Sequence, residues 1–248
     1  MLRAHRAVRF ADPSHYPAAM RTLGLLGGMA WPSTRDAYAL LNEEVGRRLG
    51  GNHSARLLVL SFDFADIEEL QAAGRWEEAG ALLADGAQRL ERAGAEGLFL
   101  CTNTMHKVAP AIEAAVTVPL LHIADVTAAA VTAAGIERVG LLGTRFTMED
   151  AFYTERLVSA GLQPIVPPPE DRATVHRVIY EELVRDVRRD ESRAEYRRIA
   201  AGLVDAGAQG VIAGCTEIEM LLGPDDVDAA WFPTTRLHVL AAVDWMLA

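Results

Sequence analysis

Lysine and cysteine are scarce in this sequence, and each shortage closes off a class of chemistry. Of its 24 lysines and arginines, Lys107 is the one lysine. A pyridoxal-type Schiff base needs a lysine. Lys107 falls in an expected helix just behind Cys101, so that chemistry is set aside. Two cysteines, Cys101 and Cys215, are too few for a disulfide framework, and in a cytoplasmic chain they stay reduced. Paired CxxC or HxxxH spacing is missing too, so Cys101, His106 and Cys215 do not read as a zinc site. No metal or other cofactor is expected. No apolar run approaches the ~18 residues that cross a bilayer. The opening segment, MLRAHRAVRFADPSHYPAAM, has positive charges but no continuous apolar stretch, so it does not read as a secretory signal. Residues 1–21 are taken as an N-terminal extension, with Met20 a second candidate start, and the expected location is cytoplasmic. The net charge of −10 leaves no basic face for nucleic acid or an anionic membrane.

What the chain does contain is alternation. Short apolar segments at Thr22–Leu26, Arg56–Ser61, Gly97–Cys101, Arg138–Leu142, Gln163–Val166 and Gly210–Gly214 read as strands. Helical periodicity follows most of them, as over Arg75–Arg92 and Arg193–Asp205. The pattern predicts an α/β protein with parallel sheets covered by helices. It also repeats. Gly24-Leu-Leu-Gly-Gly28 returns as Gly140-Leu-Leu-Gly-Thr144, and Gly94-Ala-Glu-Gly97 before Cys101-Thr102 returns as Gly207-Ala-Gln-Gly210 before Cys215-Thr216. Such idioms are common singly. Two in one order, at nearly equal offsets and each ending in Cys-Thr, imply two related domains. The expected division is 22–125 with 236–248 for the first and 126–235 for the second, the last helix packing back onto the first.

Each Cys-Thr follows a strand, where ligands of open parallel sheets bind, and precedes a helical stretch whose N-terminus would favour a thiolate. If the domains face one another about a pseudo-twofold axis, the thiols meet across a cleft. Racemisation needs that arrangement, since a proton leaves one face of a tetrahedral carbon and another arrives on the opposite face. Two acid/base groups do this without moving, one as thiolate base and one as thiol acid. The plainer alternative is two small buried hydrophobes.

The segments Gly24-Leu-Leu-Gly-Gly-Met-Ala-Trp-Pro-Ser-Thr34, Leu100-Cys-Thr-Asn-Thr-Met-His106 and Gly214-Cys-Thr-Glu-Ile218 resemble the aspartate/glutamate racemase superfamily, nearest its broad-specificity amino-acid racemase branch. The likeness runs from about Thr22 to the C-terminus. It implies two flavodoxin-like domains with a cleft between them, no pyridoxal cofactor, a homodimer, and Cys101 and Cys215 as the catalytic pair. It also carries substrate-binding roles onto Met29, Thr34, Thr102, Asn103, Thr104 and Thr216, although Ser, Thr and Asn beside a helix start also serve as N-caps. Glu217 is read as holding the substrate ammonium or orienting Cys215. His122 and His238 read as structural. Where relatives of the Thr234–His238 segment often begin with Asp, this chain has Pro233, so no role is rested on that carboxylate.

Aspartate-specialised relatives carry basic residues near the second strand's loop and in a later helix. The corresponding stretches, Ser61-Phe-Asp-Phe-Ala-Asp66 and Ile179-Tyr-Glu-Glu-Leu-Val184, have none and several acids. A neutral or broadly accepted side chain is therefore expected, with Ser61 as a polar contact. Other readings are an aspartate- or glutamate-specific racemase, a hydantoin racemase or one-cysteine decarboxylase of the same fold, and a two-domain small-molecule binding protein without turnover.

Overall fold

The computed structural model describes residues 20–248. The expected extension, residues 1–21, lies outside the described residues except for Met20 and Arg21. The first half runs β1 (Leu23–Gly27), α1 (Trp31–Leu49), β2 (Leu57–Ser61), α2 (Phe64–Ala72), α3 (Trp76–Arg92), β3 (Gly97–Leu100), α4 (Ala109–Ala115), β4 (Leu120–Leu121) and α5 (Ile123–Ala133). The second runs β5 (Arg138–Gly143), α6 (Arg145–Glu149), α7 (Ala151–Ser159), β6 (Gln163–Ile165), α8 (Pro169–Glu181), α9 (Asp190–Asp205), β7 (Gly210–Gly214), β8 (Ala230–Pro233) and α10 (Thr234–Leu247).

The strands form two parallel four-stranded sheets, in the orders β2-β1-β3-β4 and β6-β5-β7-β8. Strand for strand, the second order repeats the first. Both sheets are buried on two faces, which is why their central strands read as unbroken apolar runs. Leu26, Leu83, Leu90 and Leu98 form the core beneath α3. On the opposite face Leu23, Leu25, Leu41 and Val45 meet Val239, Val243 and Met246 of α10. The C-terminal helix thus closes the first sheet although it follows the last strand of the second. Tyr196, Ile199 and Leu203 of α9 cover one face of the second sheet, and Tyr153 and Leu157 of α7 cover the other. Among the described residues no helix is long and apolar enough to cross a membrane.

The six expected strands appear within a residue or two of their bounds. The Arg193–Asp205 helix starts earlier, at Asp190, where Asp190 and Glu191 complement the dipole of the first turn. β4 and β8 were not expected. One has two residues, and the other ends in Pro233, so neither shows a period. With all strands parallel, the carboxyl ends of β3 and β7, central in their sheets, carry Cys101 and Cys215.

Candidate active site

Cys101 leaves β3 with its backbone N–H still bonded to the Leu26 carbonyl at 2.9 Å. Its thiol is 2% exposed and meets the Thr34 hydroxyl of α1. Thr34 also accepts a hydrogen bond from the Gly28 N–H at 2.8 Å. The diglycine of the opening motif permits this approach. A Cβ on Gly27 would stand 2.4 Å from Thr34, and Gly28, at φ +90°, would place one 2.2 Å from the Phe62 carbonyl. Burial pushes the Cys101 thiol up to about 12, and the Thr34 hydroxyl works against that rise.

Cys215 has a richer surround. Its thiol donates to Glu217 Oε2 at 2.9 Å. Glu217 also accepts from the Ser33 hydroxyl at 2.6 Å and the Thr216 hydroxyl at 2.7 Å, and Thr216 lies 2.6 Å from Ser33. Burial, then the Glu217 charge, raise this thiol well above its ordinary value. One turn of α1 thus serves both thiols, Thr34 toward Cys101 and Ser33 toward the partners of Cys215.

Cys215 borders a cavity of about 20 Å³ together with Met29, Thr102, Thr104 and Glu217. Cys101 lines an adjoining crevice with Ser33, Thr102, Thr216 and His238. Thr102 lines both spaces, so the two thiols border neighbouring compartments that share this residue. Beside these spaces, further bonds cross between the halves of the chain. Thr104 Oγ1 lies 2.8 Å from Thr144 Oγ1. The Asn103 amide donates to Thr234 Oγ1 at 3.0 Å, and Tyr180 donates to Gln71 Oε1 at 2.7 Å.

Several expectations need correction. Ser61 is exposed at the end of edge strand β2 and lines neither space, its hydroxyl lying against Gly28 of the opening loop. Asn103 is buried but bonds Thr234 instead of facing the cavity, and its Oδ1 has no partner. No α-helix begins at either Cys-Thr. Short 3-10 turns follow, Thr104–Val108 and Ile218–Met220, so a hydroxyl at Cys101 and a carboxylate at Cys215, rather than a helix dipole, face the thiols. The acids of the two stretches read for substrate charge also turn away. Asp63 caps α2, Asp66 and Glu181 are exposed, and Glu182 accepts from Ser192. The cavity itself is lined without Lys, Arg or His.

Met29, Thr34, Thr102, Thr104, Thr216 and Glu217 all come together around the thiols. Ser33, Gln71, Thr144 and Tyr180 join them without having been singled out. Ser33 stood beside Thr34, Thr144 closed the repeated GLLG motif, and Tyr180 lay in a stretch read only for charge. Gln71 carried no signal. The histidines are buried bridges. His106 donates through Nδ1 to the Thr102 carbonyl at 2.7 Å and accepts from the Ile123 N–H at 3.3 Å. His238 donates to the Leu121 carbonyl at 2.7 Å and stacks on Phe99. Lys107 pairs with Asp150 at 2.7 Å over the Trp76 ring.

Two parallel sheets in matching order, each ending its central strand in a buried Cys-Thr, define a duplicated α/β fold with paired thiols. The profile of the Asp/Glu/hydantoin racemase family matches residues 26–242, and the chain belongs to that family. A crystal structure from Yersinia pestis, assigned as an Asp/Glu racemase, is 49% identical. It superposes with a TM-score of 0.86 over 92% of this chain and 100% of that one. An aspartate racemase homologue from Pyrococcus horikoshii is 30% identical, with a TM-score of 0.78 over 92% and 100%. A segment of 81 residues, 33% of this chain, is 35% identical to 35% of the broad specificity amino-acid racemase RacX of Bacillus subtilis.

Proposed function

We propose that this chain is a cofactor-independent amino-acid racemase in which Cys101 and Cys215 exchange protons with opposite faces of the substrate α-carbon. One observation carries the reading. The two buried thiols hold equivalent places in two like sheets, and neighbouring side chains of one α1 turn reach toward both. Simple core cysteines have no need of Thr34 on one sulfur and a hydrogen-bonded carboxylate on the other.

Burial favours the thiol form of both groups, so a base must be made. For Cys215 the acceptor is Glu217, already in contact with the thiol. Transfer of that proton leaves a thiolate and a neutral carboxylic acid. The substrate ammonium, entering the cavity, supplies the opposite charge that holds the thiolate. The thiolate then removes the α-proton, and the Cys101 thiol delivers one to the far face. With the other enantiomer the roles reverse. Charge developing at the α-carbon and carboxylate is met by Thr102, Thr104, Thr216 and nearby backbone N–H groups. The cavity lining without a cation supports a neutral or broad range of side chains. A homodimer acting in the cytoplasm on free amino acids completes the proposal.

The test is incubation with single-enantiomer amino acids in deuterated water, with no cofactor added. Racemisation with deuterium entering at the α-carbon is expected. Tight binding with no exchange would instead make this a binding protein. Strong preference for aspartate or glutamate over alanine, methionine and homoserine would overturn the neutral-side-chain range.

A further inference from the structure

The cavity beside Cys215, about 20 Å³, holds one water and no more. An amino acid needs several times that room, so one wall must give way as substrate enters. Beyond one wall lies an open basin of about 470 Å³. Two side chains face both spaces, Gln71 of α2 and Tyr180 of α8. These two side chains form part of the partition between cavity and basin, joined by the hydrogen bond from the Tyr180 hydroxyl to Gln71 Oε1, which also ties a helix of the first sheet to one of the second.

Gln71 is 4% exposed, and its Nε2 donates to the thioether of Met105 at 3.0 Å. A thioether sulfur is a weak acceptor, so this amide is buried with a poor partner. Buried polar groups ordinarily find better ones. An amide in that condition, bonded to a hydroxyl that can switch between donor and acceptor, is a recognition pair waiting for a third polar group.

We propose that Gln71 and Tyr180 form the substrate side-chain subsite and select amino acids whose side chain carries a neutral hydroxyl or amide. The proposal rests on the racemase reading above. As substrate enters, the Tyr180–Gln71 bond opens. A side-chain hydroxyl then donates to the Gln71 carbonyl and accepts from Tyr180, or from the Gln71 amide in place of the sulfur. A hydrocarbon side chain offers neither group a new polar partner once their bond has opened. An acidic side chain would share the cavity with the Glu217 carboxylate and meet no cation there. The arginines nearby, Arg145, Arg177 and Arg185, line the outer basin and lie beyond the partition.

The experiment compares kcat/KM of the full chain on near-isosteric pairs, homoserine with norvaline and serine with 2-aminobutyrate, alongside aspartate. The hydroxyl member of at least one pair is expected to lead by about tenfold or more, as in sites built to bond a substrate hydroxyl. Tyr180→Phe and Gln71→Leu should each cut the ratio of the hydroxyl to the apolar member by about tenfold. A purely structural role would lower both members together and leave their ratio unchanged. Equal rates within both pairs for the wild type, unchanged ratios in both variants, or a lead for aspartate would overturn the subsite while leaving racemisation intact. Absence of racemisation and α-deuteration with every amino acid would overturn the racemase reading, and the subsite with it.

Discussion

The two thiols sit at matching points of a repeated sheet, yet their surroundings differ. Cys101 meets a single hydroxyl, Thr34, in a crevice closed by Phe99 and His238. Cys215 meets a carboxylate that three donors share. Duplication preserved where the sulfurs stand and let the means of charging them diverge. A carboxylate in contact can take a proton from a thiol, whereas a hydroxyl can only steady the anion. If the pair works as proposed, this comparison makes Cys215 the first to become a base and Cys101 the initial acid.

Removing either sulfur should have the largest effect. Cys101→Ala and Cys215→Ala are each expected to lower racemisation by about 10³-fold or more, at the upper end of what one acid/base group contributes. Each variant keeps one thiol and should still exchange the α-proton of one enantiomer in deuterated water. The two variants should choose opposite enantiomers. The same choice by both would mean that the thiols do not face opposite sides of the carbon.

Glu217→Gln comes next and bears directly on the asymmetry. With the carboxylate present, the Cys215 proton is taken up within the site, so kcat/KM should change little from pH 6 to 8. The amide cannot accept it. The variant should fall by about 10²-fold and gain a limb rising toward about tenfold per pH unit, since its thiolate must now form by loss of the proton to solvent. An unchanged profile would remove Glu217 from the proton path.

A third comparison concerns acid stability, because the buried histidines belong to the Cys101 side. Burial holds His106 at about 4, His122 at about 2 and His238 at about 3, all below an ordinary value of 6.5. Folding keeps these rings neutral while the unfolded chain protonates them. Their contribution is therefore present above pH 6.5 and is lost as pH falls from there toward the folded values. By pH 4 the loss should approach about 3 kcal/mol for a ring such as His238, at 1.36 kcal/mol per unit. Melting temperature measured from pH 7 to 4 should drop steeply, and His238→Gln should flatten the slope. A slope unaltered by that substitution would assign the acid sensitivity elsewhere.

How far the sequence disclosed this site depended on whether a feature was local. The Cys-Thr repeats and the GLLG strands survive as motifs because a buried parallel strand followed by a ligand-facing turn is contiguous in sequence. Thr34 was legible for the same reason. Gln71 was not. It sits on an ordinary amphipathic helix, and its place beside the cavity shows only through its bond to Tyr180, a residue brought over from the other sheet. The acids of Ile179–Val184 misled because composition gives no direction. Tyr180 faces the cavity, while Glu182 turns to Ser192.

The finest test of the asymmetry lies in the two adjacent hydroxyls of α1. Ser33 donates to Glu217, and Thr34 reaches Cys101, so neighbouring substitutions should disturb different thiols. Thr34→Val removes the one polar partner of Cys101 and preserves shape. It also strips the Gly28 N–H of its acceptor, so some stability should be lost, about 1 kcal/mol for one neutral hydrogen bond. Ser33→Ala leaves the fold of the α1 turn alone and takes one of the donors from Glu217. That loosens the carboxylate which the Cys215 thiol contacts. Single-turnover exchange should separate these effects. Thr34→Val should slow, by roughly tenfold or less, exchange of the enantiomer whose proton Cys101 removes, and Ser33→Ala should act on the other. If both substitutions slowed the same enantiomer, the two thiols would share one hydrogen-bonded network, and the contrast between them would collapse into a single coupled unit.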